Sequence, residues 1–264
     1  MSSTPTGFSP VDGEWLPHLR RETGRFVEVA ARSPLVAHVP AYPAFTVASL
    51  SAHIGRVLRI FRTVVSEGSY REDQVIAVPA DSAITGWVQA GLEPLLAALA
   101  EVPPDRPVTF PHGAGERPAA LIAPLLAVEV GVHRWDVESV LGHHVPIPAD
   151  LAIREVESVF ENFVPRLAGA GVAPIGGAVL LQAADAPVSW DISVQDGRML
   201  AGRHAEQPGD AAVVVSAAVE DLALIVWKRW PPPRPGVEVA GSVDVLKRFL
   251  STDYIPDPRT TPAH

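Results

Sequence analysis

RPAALIAPLLAVEVGVHRWDVESVLG, residues 117–142, reads as one long helix. Pro118 suits a first turn, where its missing N–H is not needed, and Gly142 suits a helix end. Pro124 should kink the helix or mark its true start. Glu129 is the sole acid from Ala119 to Val132, and His133 follows it by four residues. That spacing sets both side chains on one helical face, one turn apart, where they can reach a single ion. A carboxylate in so apolar a stretch is costly unless paired, and holding a cation offsets the cost. The same spacing also occurs as a structural pair or on an exposed helix face. A third donor from another helix would strengthen the metal reading. His53, between Ala52 and Ile54 in the middle of another helical stretch, is the natural candidate. Two imidazoles and a carboxylate favour zinc, with iron or nickel possible. Three protein ligands leave a position for water or substrate, as in catalytic sites.

Working outward, residues before about 170 read as helices separated by proline-rich breaks. From Glu14 to about Arg32, Leu16, Leu19, Phe26, Val27 and Ala30 recur at a helical period. PLVAHVPAYPAF, 34–45, is a connection. Thr46 makes an N-cap for TVASLSAHIGRVLRIFRTVVSEG, 46–68, which ends at Gly68. A helix from about Ser82 to Val102 stops at Pro103–Pro104, the ligand-bearing helix follows, and a fifth runs from Pro148 to about Leu167.

After the flexible AGAGVAPIGG, 168–177, the texture changes to the alternation of strands: AVLLQAAD, VSWDISVQ and AAVVVSA. Asp196–Gly197 is a hairpin signal. A helix fits AAVEDLALIVWKRW, 217–230, then a proline block that reads as a stiff connection, a strand VEVAG and a last helix VDVLKRFL. The expected fold class is α+β in two domains: a bundle of four to five helices over 1–170, then a small α+β domain over 171–264.

The chain has 264 residues, 47% hydrophobic, enough for sizeable cores and against disorder. Its net charge of -9 argues against nucleic acid or an anionic membrane surface as a partner. No stretch approaches the roughly 18 unbroken apolar residues of a membrane span, the N-terminus lacks a signal-like run, and a cytoplasmic location is expected. With no cysteine, disulfides, thiolate metal sites and a protein thiol nucleophile are all excluded. Lys228 and Lys247 are the only lysines among 21 basic residues, a bias usual in GC-rich genomes. Of nine histidines, His18, His38, His112, His204 and His264 fall at surfaces, loops or the terminus, and His143–His144 follow a helix end.

TVASLSAHIGRVLRIF resembles the second helix of the mycothiol-dependent maleylpyruvate isomerase family, a branch of the DinB-like metalloproteins. The 117–142 stretch resembles that family's ligand helix, whose hallmark reads close to E-x-x-x-H-R-W-D-x-E. The tail, from DAAVVVSAAVEDLALIVWKRW through VEVAGSVDVLKRFL, is similar to its C-terminal domain. The resemblance implies a DinB-like bundle and makes His53, Glu129 and His133 the metal ligands. Two departures stand out. Leu58 occupies a position where many members carry a second histidine, and LIAPLL replaces a segment usually richer in arginine and aromatic residues. A more apolar wall points to a substrate other than the small dianion maleylpyruvate.

The implied chemistry is activation of a low-molecular-weight thiol, mycothiol, by a divalent ion such as zinc, for attack on a small electrophile. An isomerase adds the thiolate to a conjugated double bond, allows rotation and eliminates it to give the trans isomer; an S-transferase releases the adduct. Asp136, three residues after His133, would orient its imidazole, or else pair with Arg134 or cap. Arg229, placed in the C-terminal helix, matches a position where the resembled family tends to carry arginine, which implies binding of a carboxylate of thiol or substrate; the alternative is a solvated helix-end cation. Arg56 and Arg59 could face the site or water. A monomer or weak homodimer is expected. The competing readings are a non-catalytic small-molecule or partner-binding protein and a thiol-independent metal hydrolase.

Overall fold

Thr46 and Gly68 bracket the helix that carries His53. The Thr46 hydroxyl accepts from the Ser49 backbone N–H, the Ser49 hydroxyl accepts from that of Thr46, and Gly68 closes the other end at φ 86°, a conformation that favours glycine. The structure, a computed structural model, describes residues 15–71, 73–111, 115–169, 171–204, 210–230 and 232–255. It forms two units, one within residues 10–145 and one within 146–261.

The first unit is a bundle of α1 (Trp15–Arg32), α2 (Val47–Glu67), α3 (Ile84–Glu101) and α4 (Ile122–Leu141). Each helix packs on two others: α1 on α3 and α4, α2 on α3 and α4. Leu19, Phe26, Leu50, Ile54, Leu58, Val88, Leu95, Leu126 and Val130 make a closed apolar core. Leu58 is thus a core residue. At Gly55 a Cβ would come within 2.0 Å of the Trp87 ring, so a hydrogen side chain is what allows α3 so close. Asp81–Glu101 is long and apolar enough, by length and composition, to cross a membrane; here it packs on α1 and α2 through Ile84, Val88, Leu92 and Leu95. A small hairpin, β1 (Pro107–Thr109) and β2 (Glu116–Pro118), joins α3 to α4 and had no signal in the sequence. Of the two options for Pro124, the second holds: α4 begins at Ile122 after a 3-10 turn over 119–121, and Pro124 sits in its first turn.

Arg134 of α4 ties this unit together. Its side chain is 1% exposed; it donates to Glu22 of α1 at 2.9 Å, to Glu138 at 2.7 Å and to the Val145 carbonyl at 2.6 Å. Arg25 of α1 completes the network at 2.9 Å from Glu138. Opposite charges and a backbone carbonyl satisfy each other away from water, which makes the α1–α4 register hard to change.

The second unit holds α5 (Ala149–Ser158), continued by a π turn over 159–163 and a 3-10 stretch to 169, and a five-stranded sheet in the order β5-β4-β3-β6-β7. Its strands are β3 (Val179–Ala183), β4 (Ser189–Gln195), β5 (Arg198–His204), β6 (Val213–Ala217) and β7 (Glu238–Gly241). β3 and β6 are parallel, the other pairs antiparallel. The Asp196–Gly197 turn has positive φ at both residues, as a two-residue hairpin requires. Val179, Leu181, Trp190, Ile192, Val213 and Val215 bury one sheet face, and α6 (Val219–Val226) and α7 (Val243–Ser251) complete the unit.

Two expectations are corrected here. The division falls at 145/146, not near 170, so α5 belongs with the sheet. Its buried side meets α6, the Trp227 indole donates to the Glu155 carbonyl at 3.0 Å, and Arg203 of β5 pairs with Glu157 at 2.8 Å. Nor is Arg229 a solvated residue on a helix. α6 ends at Val226, and Arg229 lies in the turn beyond it, 8% exposed, donating to the Trp227 carbonyl at 3.0 Å. Buried Trp227 draws that turn inward.

Candidate metal centre

Two helices build the site. In α4 the i, i+4 spacing sets Glu129 and His133 on one face; α2 brings His53 to them. His53 Nε2 stands 2.8 Å from Glu129 Oε1, and His133 Nε2 stands 3.4 Å from the same oxygen. One ligand atom from each residue lies within 4.8 Å of the others, the one such cluster among the described residues. His53 and Glu129 are half-buried, whereas His133 is buried.

Asp136 lies against His133. Fully buried, it lies with Oδ2 2.9 Å from Nδ1 of His133 and so turns Nε2 towards Glu129. Arg134 pairs elsewhere, as described. Burial pushes the Glu129 carboxyl up, but hydrogen bonds from His133 and His53 outweigh it and hold the group well below the usual carboxylate range. Burial pushes His133 down, yet its bonds to Asp136 and Glu129 raise it to about 9. The cluster thus offers an anionic oxygen flanked by two imidazoles, a donor set that fits a borderline divalent ion.

Neighbouring residues sort by contact. Arg59 donates to the Gly55 and Trp87 carbonyls at 2.9 and 2.8 Å and covers the Trp87 ring at 4.0 Å, a packing role. Arg56 is half-buried one turn after His53. Arg229 belongs to the second unit, so its expected role is not part of this geometry. Trp135 stacks on His144 at 4.3 Å, and Trp227 meets Phe163 edge-on. His112 and His264 lie outside the described residues.

The sequence reading passed over Phe45. Its ring centroid lies 5.8 Å from that of His53 and 6.2 Å from that of His133. Its one signal in the sequence is an aromatic residue directly before the cap Thr46.

A four-helix bundle followed by an α+β unit is an architecture this chain shares with solved structures. Two solved structures, of the mycothiol-dependent maleylpyruvate isomerase and of a histidine-to-alanine variant of it, share this chain's fold. Each has a TM-score of 0.60 at 16% identity, covering 87% of this chain and 93% of the other. Residues 16–138 match the family model described as the mycothiol maleylpyruvate isomerase N-terminal domain. That match spans the bundle and agrees with the resemblance read in TVASLSAHIGRVLRIF and HRWDVE. No curated protein matches the chain by sequence.

Proposed function

We propose that His53, Glu129 and His133 hold a divalent metal ion, zinc by the chemistry of the donors, and that the chain uses it to activate a small thiol against an electrophilic substrate. The observation that carries this reading is the convergence of three donors on two helices, with Asp136 aligning one imidazole. A divalent ion held there would supply the Lewis acidity that brings a thiol, with a free pKa of about 8.5, to thiolate at neutral pH. Glu129 contributes negative charge and His53 and His133 neutral nitrogens, so one unit of the dication's charge remains to attract a thiolate. Asp136 keeps His133 in the tautomer that presents Nε2.

The sulfur comes from outside, because the chain has no cysteine. The family of the bundle points to mycothiol, and the chemistry to cis/trans isomerisation or S-transfer. Arg229 is the residue we assign to a carboxylate of the thiol or substrate; Arg229→Ala should then raise KM for the anionic partner more than it lowers kcat. Turnover of an activated electrophile that requires both metal and mycothiol, and that falls to background in His53→Ala, supports the reading. Metal-dependent turnover without any thiol would replace it with a hydrolase.

A further inference from the structure

The two imidazoles of the centre are held differently. His133 is fixed at both nitrogens, by Asp136 at Nδ1 and Glu129 at Nε2. His53 meets Glu129 through Nε2, and among the described residues no hydrogen bond reaches its Nδ1. A ring bonded at one nitrogen keeps a soft terminal torsion, and an aligned metal ligand ordinarily has a partner on its other nitrogen. Phe45 is the aromatic ring packed beside His53, its centroid 5.8 Å away, inclined 46° to His53 and 69° to His133.

The segment that carries Phe45 is laced to the start of α2. Phe45 donates to the Tyr42 carbonyl at 2.9 Å and accepts from Val39 at 3.0 Å. Val47 and Ala48 donate back to Ala37 and Leu35, and the His38 imidazole meets the Pro43 carbonyl at 2.9 Å. The Tyr42 ring backs Phe45 at 5.4 Å. The aromatic ring and the imidazole beside it therefore stand on one piece of structure, one just before the cap of α2 and the other within that helix.

We propose that Phe45 is a positioning residue for this centre, doing for His53 by ring contact what Asp136 does for His133 by hydrogen bonding. The assignment rests on the triad being a metal site. The probe is cobalt(II), whose visible absorption reports ligand geometry, titrated into wild type, Phe45→Ala, Phe45→Leu and Phe45→Tyr. We expect Phe45→Ala to stay folded by circular dichroism, to bind cobalt about tenfold more weakly and to show an altered spectrum. Phe45→Tyr should restore both. Phe45→Leu keeps apolar bulk if the alanine variant does not fold, and should also bind more weakly than wild type. In protein without metal, the ring protons of His53 should shift in the proton NMR spectrum of either variant that lacks the aromatic ring. Wild-type affinity and spectrum in Phe45→Ala and Phe45→Leu overturn the assignment while leaving the metal centre standing. A wild type that binds no cobalt overturns the metal reading and this assignment with it.

Discussion

Asp136 and Glu129 flank His133 from opposite sides, and each leaves a measurable mark. Removing the Asp136 carboxylate frees the imidazole to rotate, so Asp136→Ala should weaken zinc binding by about 10–100-fold, read by competition with a chromophoric chelator, with the fold retained. His133 carries a proton up to about pH 9 when no metal competes for it. Zinc must displace that proton, so zinc affinity should rise about tenfold per pH unit below 9 and level off above it. Titration in buffers of different ionisation enthalpy should show close to one proton released at pH 7. The same shifts govern the stability of the metal-free protein. His133, raised above its unfolded value of 6.5, stabilises fully below that pH, and its contribution fades as pH rises through about 9. Glu129, held well below 4.5, stabilises above that value and loses its contribution on further acidification. A urea-midpoint series against pH checks both flanks. The i, i+4 pair was legible because helical spacing is local. The contact between Glu129 and His53, 76 residues apart in the chain, was only a candidate until the bundle was seen, and Phe45 sat in a proline-rich connection where no periodicity speaks.

α4 serves two purposes through interleaved residues. Glu129, His133 and Asp136 face the centre, while Arg134 and Glu138 face α1 and close a buried ion network with Glu22 and Arg25. The HRWDVE segment therefore carries residues of the proposed centre and residues of the packing network. Arg134→Met should cost about 3–5 kcal/mol, because Glu22 and Glu138 would lose a buried partner, and denaturant unfolding should show it. The folded fraction should still bind metal at the wild-type stoichiometry, since the network does not touch the triad. Loss of metal binding at full folding would show that α4 cannot separate the two roles. Helix ends marked by a capping side chain, as at Thr46, or by a left-handed glycine, as at Gly68, were legible to the residue. The start of α4 was not, since Pro118 and Pro124 each suit a first turn and only backbone hydrogen bonding chooses between them.

At the scale of the whole molecule, the helical and strand-bearing regions were legible in order, but the seam between them was not. The apolar face of α5, Leu151, Ala152 and Val156, would fit a bundle as well as a sheet; pattern gives the face and not the partner. Arg229 misled for a related reason, since a charged residue at a helix end reads as solvated unless the burial of Trp227 beside it is known. Neither point bears on the triad, which lies wholly within the bundle. Metal content of the purified protein, by elemental analysis of wild type beside His53→Ala, tests the central claim most directly. About one zinc per chain in wild type, lost in the folded variant, is the result the account predicts. A wild type that is purified without metal and fails to take up added zinc would contradict it.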